Sequence, residues 1–409
     1  MSSSSTASAR VVAEALSRHL ETADFRGWDP FDALASPAVR AIARGRRARQ
    51  AAIQGLKHLP VNPRPVLGIP RQEHVKALAL CASAYAALRR EPGDRWDALA
   101  QAMGDRLAAR SLRDGDEAAW GYDFDVQTRW GSYRRGTPNA VVTAFAMHGL
   151  LDADPEGRGR ELAEAAMRFA TRRLTGHGPA FAYYAGATAE IHNASALLAD
   201  AIGRVASADS FERALARRAV ERLLEAERAP GYWPYGEQPG LEWVDGFHTG
   251  YVLVALHRWD RREPDPALAA AVARGVDFYV SHLFEVDGAP RHTVDSLYPI
   301  DVHAAATAIW ALSLLRERHE RALPTAERVL DFTLRRLRRR DGRFAFQLRR
   351  RVRLAVPYIR WSDAHMLLAL ATYANSASSE RMAEDSMTTN ARPVAVGESD
   401  VRADGPRTW

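Results

Sequence analysis

The sequence predicts an all-α fold: six helical hairpins closed into a single-domain (α/α)6 toroid, an inner ring of parallel helices wrapped by an outer antiparallel ring. Three observations predict it. Apolar runs begin at Asn139, His192, His248, His303 and Arg360, which are 53, 56, 55 and 57 residues apart, and a period of that length marks a repeat architecture. The runs alternate with segments that are apolar on one face only. Strand signals are nearly absent, with "RFAFQL" (343–348) the one short candidate.

"SPAVRAIARGRRARQAAIQGL" (36–56) reads as the first outer helix, "RQEHVKALALCASAYAALRR" (71–90) as the first inner one, and "DRWDALAQAMGDRLAARSL" (94–112) as the next outer one. The runs after Asn139, His192, His248, His303 and Arg360 are rich in Ala and Leu over most of their circumference, which requires burial on nearly all sides. Between them, "RGRELAEAAMRFATRRL", "DSFERALARRAVERLLEAE", "DPALAAAVARGVDFYVSHLF" and "LPTAERVLDFTLRRLRR" put Arg and Glu opposite an apolar stripe, as surface helices do. The toroid is expected over residues 10–375. Residues 1–9 and 376–409 lack periodicity and are expected to be disordered. An open solenoid is the competing arrangement, and it would need capped ends.

Composition narrows the function. The 409-residue chain has one cysteine, Cys81 in an apolar run, so internal disulfides and cysteine-based zinc sites are excluded. Lys57 and Lys76 are its only lysines, which argues against Schiff-base chemistry. No phosphate loop or dinucleotide fingerprint is present, so no cofactor is expected. No apolar stretch approaches the roughly 18 to 20 residues of a membrane span, and the N-terminus lacks a basic-then-apolar leader, so a cytoplasmic location is expected. The formal net charge of +6 is concentrated in "LRRLRRRDGRFAFQLRRRVR" (334–353). Arg336 to Arg353 is either a solvated helix end or a peripheral contact for anionic lipid or an acidic partner; nucleic-acid motifs are missing.

In a toroid every outer-to-inner loop emerges at the same end, and these loops are loaded. One offers Trp120, Tyr122, Asp123, Asp125, Arg129 and Trp130, and the next Tyr184, Glu190 and His192. The third offers Trp233, Tyr235, Glu242, Trp243, Asp245 and His248, the fourth His292, Tyr298, Asp301 and His303, and the fifth Tyr358, Arg360 and Trp361. The inner-to-outer loops are plain. Aromatic rings flanked by carboxylates and planar donors suit a sugar, whose apolar face stacks while its hydroxyls take charge-assisted bonds. Hydrolysis would pair Asp123 or Asp125 with Glu242, Asp245 or Asp301. Elimination or epimerisation at a uronic acid would use a Tyr or His base with an Arg or His that neutralises the carboxylate, for which Tyr298, His248, His303, Tyr358 and Arg360 qualify. No metal is assigned, since Asp301 and His303 alone make no local metal signature.

The stretches "GWDPFDAL", "WGYDFDVQTRWGSYRRGTPNAVVTAF", "EIHNASALLA", "WVDGFHTGYVL", "YPIDVHAAATAI" and "VPYIRWSDAHML" resemble the VpsJ-like proteins of bacterial polysaccharide biosynthesis. That resemblance implies a six-hairpin toroid linked to exopolysaccharide or glycoconjugate assembly. More distantly the organisation is similar to glycosidase, polysaccharide lyase and glucuronyl epimerase toroids, and to isoprenoid cyclases. Two other functions compete with sugar chemistry: a terpenoid-type cyclase, for which "DFDV" lacks the last carboxylate of a D-x-D-D acid, and a non-catalytic glycan-binding assembly factor.

Overall fold

The computed structural model describes residues 2–128, 131–176 and 178–376. The chain opens with α1 (Ser2–Thr22). Its stripe Ala9, Val12, Ala13, Leu16 and Leu20 is buried in the main core, at the spacing of one helix face. After it, 52 residues (23–74) form an insertion carrying a short 3-10 turn (Asp32–Ala35), α2 (Pro37–Ile42) and α3 (Arg46–Lys57). The hairpins then alternate along the chain. They comprise α4 (Val75–Leu88), α5 (Arg95–Ala109), α6 (Ala140–Ala153), α7 (Arg158–Arg173), α8 (His192–Gly203), α9 (Phe211–Ala226), α10 (Gly246–Arg262), α11 (Pro266–His282), α12 (Val302–Leu314) and α13 (Ala322–Arg336). A π-helical turn (Ile359–Ala364) leads into α14 (365–376).

The inner ring is α4, α6, α8, α10, α12 and α14. Each packs on the next, and the π turn that starts α14 touches both α12 and α4, so the ring closes. Closure explains the composition: twelve of the thirteen residues of α12 and all twelve of α8 are buried, because a helix ringed by other helices has no solvent face. Gly149 on α6 marks a close approach of two backbones, where an added Cβ would lie 2.8 Å from the Ala79 carbonyl oxygen of α4.

The structure departs from two expectations. The first outer helix is α1, not residues 36–56: Ser17 Oγ meets the Tyr85 hydroxyl at 3.2 Å, and Arg10 reaches the Leu88 carbonyl, both on α4. Residues 2–9 are accordingly helical rather than a disordered tail. Segment 36–56 instead breaks into α2 and α3, whose Ile53 and Leu56 pack with Ala33, Leu34 and Ile69 in a satellite core. The tail 377–409 lies outside the described residues.

Short strands decorate the loops: β1 (Leu112–Asp114) pairs with β2 (Glu117–Ala119), and β3 (Val126–Gln127) with β4 (Ser132–Tyr133). In the third sheet, β5 (Ile300–Asp301) pairs antiparallel with β6 (Gln347–Leu348), and β6 with β7 (Arg353–Leu354). "RFAFQL" contributes only β6.

Candidate functional site

The first turns of the inner helices converge at one end of the ring, and the caps of those helices occupy the carboxylates. Asp245 accepts the His248 backbone N–H at 2.9 Å and so caps α10; its other oxygen takes the His248 ring Nδ1 at 2.7 Å and the Trp243 indole N–H at 3.0 Å. Although burial acts to raise its pKa, the His248 partner and these donors hold Asp245 below the ordinary carboxylate value. Asp301 caps α12 through the His303 N–H at 2.8 Å and also accepts from Gln347 and from the Trp361 indole. Burial pushes it upward despite those three bonds. Asp123 accepts the Val75 N–H at 2.8 Å, at the start of α4, and is paired with Arg110.

Below these caps lies a chain of three groups. The Tyr251 hydroxyl sits 2.8 Å from His303 Nε2 and 3.0 Å from His365 Nε2, and all three residues are buried. His365 Nδ1 is 2.5 Å from the Arg360 carbonyl and can only donate to it. The tautomers then follow from the bonds. His365 Nε2 is the acceptor, Tyr251 donates to it, and His303 Nε2–H donates to Tyr251. That leaves His303 Nδ1 as a bare lone pair, and it is buried with no hydrogen-bond partner among the described residues. Burial, then the His365 neighbour and the Lys76 and Arg360 charges, keeps His303 well below the ordinary imidazole value, so it is neutral near pH 7. Its ring is 3.9 Å from that of His365, 4.3 Å from Trp361 and 4.7 Å from Phe247.

Both lysines point into this region. Lys76, on the first turn of α4, is buried with Nζ 4.1 Å from the Phe145 ring centre and 5.2 Å from Tyr251. Burial depresses its pKa far below the usual amine value. Lys57, from the insertion, holds Nζ 4.7 Å from Phe31 and 5.7 Å from Trp361. Neither makes a hydrogen bond or ion pair among the described residues. The wall above is aromatic: Tyr235 stacks on Trp243 at 4.4 Å, Tyr122 on Phe124 at 5.3 Å, and Tyr133 lies 5.1 Å from Tyr184.

Of the residues chosen from sequence, Tyr122, Tyr184, Tyr235, Trp243, Asp245, His248, Asp301, His303, Arg360 and Trp361 meet in this mouth. Arg360 does not serve as a free cation: Asp29 of the insertion grips it bidentately at 2.6 and 2.9 Å, with both side chains buried. Several others are placed elsewhere. Tyr358 packs with Phe346, Leu354 and Val356 beneath the mouth, and burial pushes its hydroxyl up to about 12, so it is no base. Trp120 and Trp233 are buried and donate to the Leu107 and Leu223 carbonyls of outer helices, which makes them packing residues. Glu242 is exposed and accepts from Gly240, Asp125 accepts the Arg135 N–H, and His292 and Tyr298 are exposed. His192 is held by Pro234 and Glu237, and Glu190 by Arg222. Arg129 and Trp130 lie outside the described residues.

Sequence reasoning missed Asp29, Tyr251 and Lys76 as members of this cluster. Asp29 lies in a loop of the insertion, whereas Tyr251 and Lys76 occupy helix positions that read as core. Only the rarity of lysine in the chain singles out Lys76. Among the described residues no group of three or more His, Cys, Asp or Glu is placed to hold a metal ion, and no helix is long and apolar enough to cross a membrane.

No family model and no curated protein matches the chain. Solved structures do match its fold. Cellobiose 2-epimerase from Bacillus thermoamylovorans aligns with a TM-score of 0.57 at 11% identity, covering 74% of this chain and 90% of that one. The GH76 alpha-mannanase of Bacteroides thetaiotaomicron gives 0.57 at 12%, over 76% and 88%. An unsaturated glucuronyl hydrolase specific for heparin gives 0.56 at 11%, over 90% and 96%. At these identities the likeness shows the fold and leaves the chemistry to the residues: the chain is an (α/α)6 toroid whose structural neighbours are carbohydrate-active enzymes.

Proposed function

We propose that this protein is a carbohydrate-active enzyme that removes and returns a proton at the carbon beside a sugar carbonyl, an epimerase- or isomerase-type reaction. The observation that carries the proposal is the bare lone pair on His303 Nδ1, fixed by the Tyr251 and His365 bonds, in a mouth whose central carboxylates are all spent on caps. A neutral imidazole beside aromatic walls suits a base for a weakly acidic C–H. His248, with Nδ1 anchored on Asp245, has Nε2 available as the second acid/base group; both imidazoles flank Phe247. The proton passes from carbon to His303 Nδ1 and the electron pair moves onto the carbonyl oxygen. A proton returned from His248 to the other face re-forms the carbonyl as the epimer, whereas isomerisation places that proton on the former carbonyl carbon while the adjacent hydroxyl passes its own proton to the enolate oxygen.

Hydrolysis is less well supported, because it needs a free acid and a free carboxylate. Chemistry beside a uronate also loses its neutraliser, since Arg360 is already paired with Asp29. The VpsJ-like stretches support a place for this reaction in cytoplasmic polysaccharide or glycoconjugate assembly. The test is incubation with aldoses and short oligosaccharides in deuterated water. Deuterium at the carbon beside the carbonyl is expected, and His303→Gln should slow its uptake by about 10²- to 10⁴-fold. New reducing ends without exchange would mean hydrolysis and would overturn the reading.

A further inference from the structure

The arginine-rich segment singled out in the sequence forms a groove that the proposed chemistry does not use. It is a cavity of about 780 Å³ lined by Arg335, Arg336, Arg349, Arg350, Arg351 and Arg353, with Leu297, Ile300, Phe332 and Leu348 among its apolar lining. Only two carboxylates, Glu285 and Asp287, line it, and Glu285 is paired with Arg291. Some of these arginines have local explanations. Arg335 is bonded to Asp331, and both it and Arg336 end α13, where cations complement the helix dipole. Arg349 contacts His58, and Arg353 donates to the Leu337 and Arg338 carbonyls.

Arg350 and Arg351 have none. They are the two central residues of the hairpin turn between β6 and β7, closed by the Arg349 N–H on the Val352 carbonyl at 2.8 Å. Tight hairpins favour Gly, Asn or Asp at these positions. Here two exposed arginines stand side by side with no ion pair or hydrogen bond among the described residues. Arg353 shows the crowding: burial first, then the Arg339 and Arg336 charges, lowers its pKa. A bound anion would relieve that repulsion.

The groove and the mouth share one sheet. In the register Ile300 faces Leu348, and both line the groove, while the alternate pair Asp301 and Gln347 turns toward Trp361 and the mouth. Tyr298 comes from the same loop as Asp301 and adds a 38% exposed ring to the groove. Guanidinium groups around an apolar floor, with a ring on one side, match a chain of sugars that carries carboxylates: the pyranose faces pack on Leu297, Leu348 and Tyr298, and the acid groups meet the arginine forks. A concave surface fits such a chain better than it fits a lipid bilayer.

We propose that this groove is a binding site for an acidic polysaccharide, set behind the reactive mouth and separate from it. The inference goes beyond the proton-transfer reading and does not depend on it. The experiment is titration of the full chain with polygalacturonate fragments and with neutral dextran fragments of equal length. Polygalacturonate should bind, with affinity falling as salt rises, and dextran should not. Arg350→Ala/Arg351→Ala, confined to an exposed turn, should weaken polygalacturonate binding about tenfold or more while the circular dichroism stays unchanged. His303→Gln should leave that affinity intact, so failure of the chemistry and failure of this site are read separately. Equal binding of dextran, or an unchanged affinity in the arginine variant, would overturn the proposal. Val286 and Val352 are exposed beside the groove, so vesicles of phosphatidylglycerol are the control. Vesicle binding that polygalacturonate does not displace would assign the face to a membrane and overturn it as well.

Discussion

Asp29 and Arg360 show how much one residue pair can carry. Breaking a buried ion pair from one side strands a charge, which costs about 3 to 5 kcal/mol. Asp29→Asn should therefore destabilise the protein by about that much in urea unfolding, and Asp29→Leu/Arg360→Met should recover most of it. Asp245→Asn tests structure and chemistry together at the next site. An amide still caps α10, but its NH2 would face the Trp243 indole N–H that the carboxylate now accepts, so a loss of about 1 to 3 kcal/mol is expected in urea unfolding. His248 Nδ1 loses its carboxylate, and kcat should fall by about 10²-fold or more. The buried imidazoles set a pH dependence. His303 and His365 are both held well below the ordinary value near 6.5, so below that pH the unfolded chain binds protons that the native state refuses. Their contribution to stability is present above about pH 6.5 and is lost as pH falls toward the native values. Thermal unfolding of His303→Gln/His365→Gln should show a smaller loss than the parent over the same acid window.

Helices differ in how far their sequences disclose them. The inner helices were legible because a segment apolar all round has one place to go in a protein of this size. The first outer helix was not. Residues 36–56 have a respectable apolar stripe, but periodicity does not say which core a stripe faces, and Ile53 and Leu56 serve the satellite core of the insertion. The true outer helix hides behind a serine-rich start, with alanines as much of its buried face. The site was half legible for a related reason. His248, His303 and Trp361 advertise themselves as polar or aromatic residues at the entry to an apolar run, whereas Tyr251 and Lys76 occupy positions that a helical pattern assigns to packing. The same pattern could not tell that Asp123, Asp245 and Asp301 spend their oxygens on helix starts. At this scale Gly149→Val is the sharp test. Its Cβ meets α4 backbone at 2.8 Å, so overpacking should cost at least about 1 to 3 kcal/mol by chemical denaturation.

Taken whole, the molecule is a closed ring, and closure is a testable property rather than a description. A solenoid loses stability one repeat at a time when shortened. Here the π turn before α14 bridges α12 to α4, so a chain ending at residue 355 would leave two inner helices with bare apolar flanks. Such a truncation should fail to give a cooperative thermal transition, whereas a solenoid of the same sequence would keep most of its own.

The Asp29–Arg360 pair also spans 331 residues of sequence. During synthesis the aspartate leaves the ribosome long before its arginine has been translated, and α1 likewise precedes the last inner helix. The nascent protein must therefore carry α1 and the insertion unfinished until Arg360 and α14 emerge, and the mouth can become competent only after that. A cell making this toroid has reason to shield its early half from misassociation in the meantime.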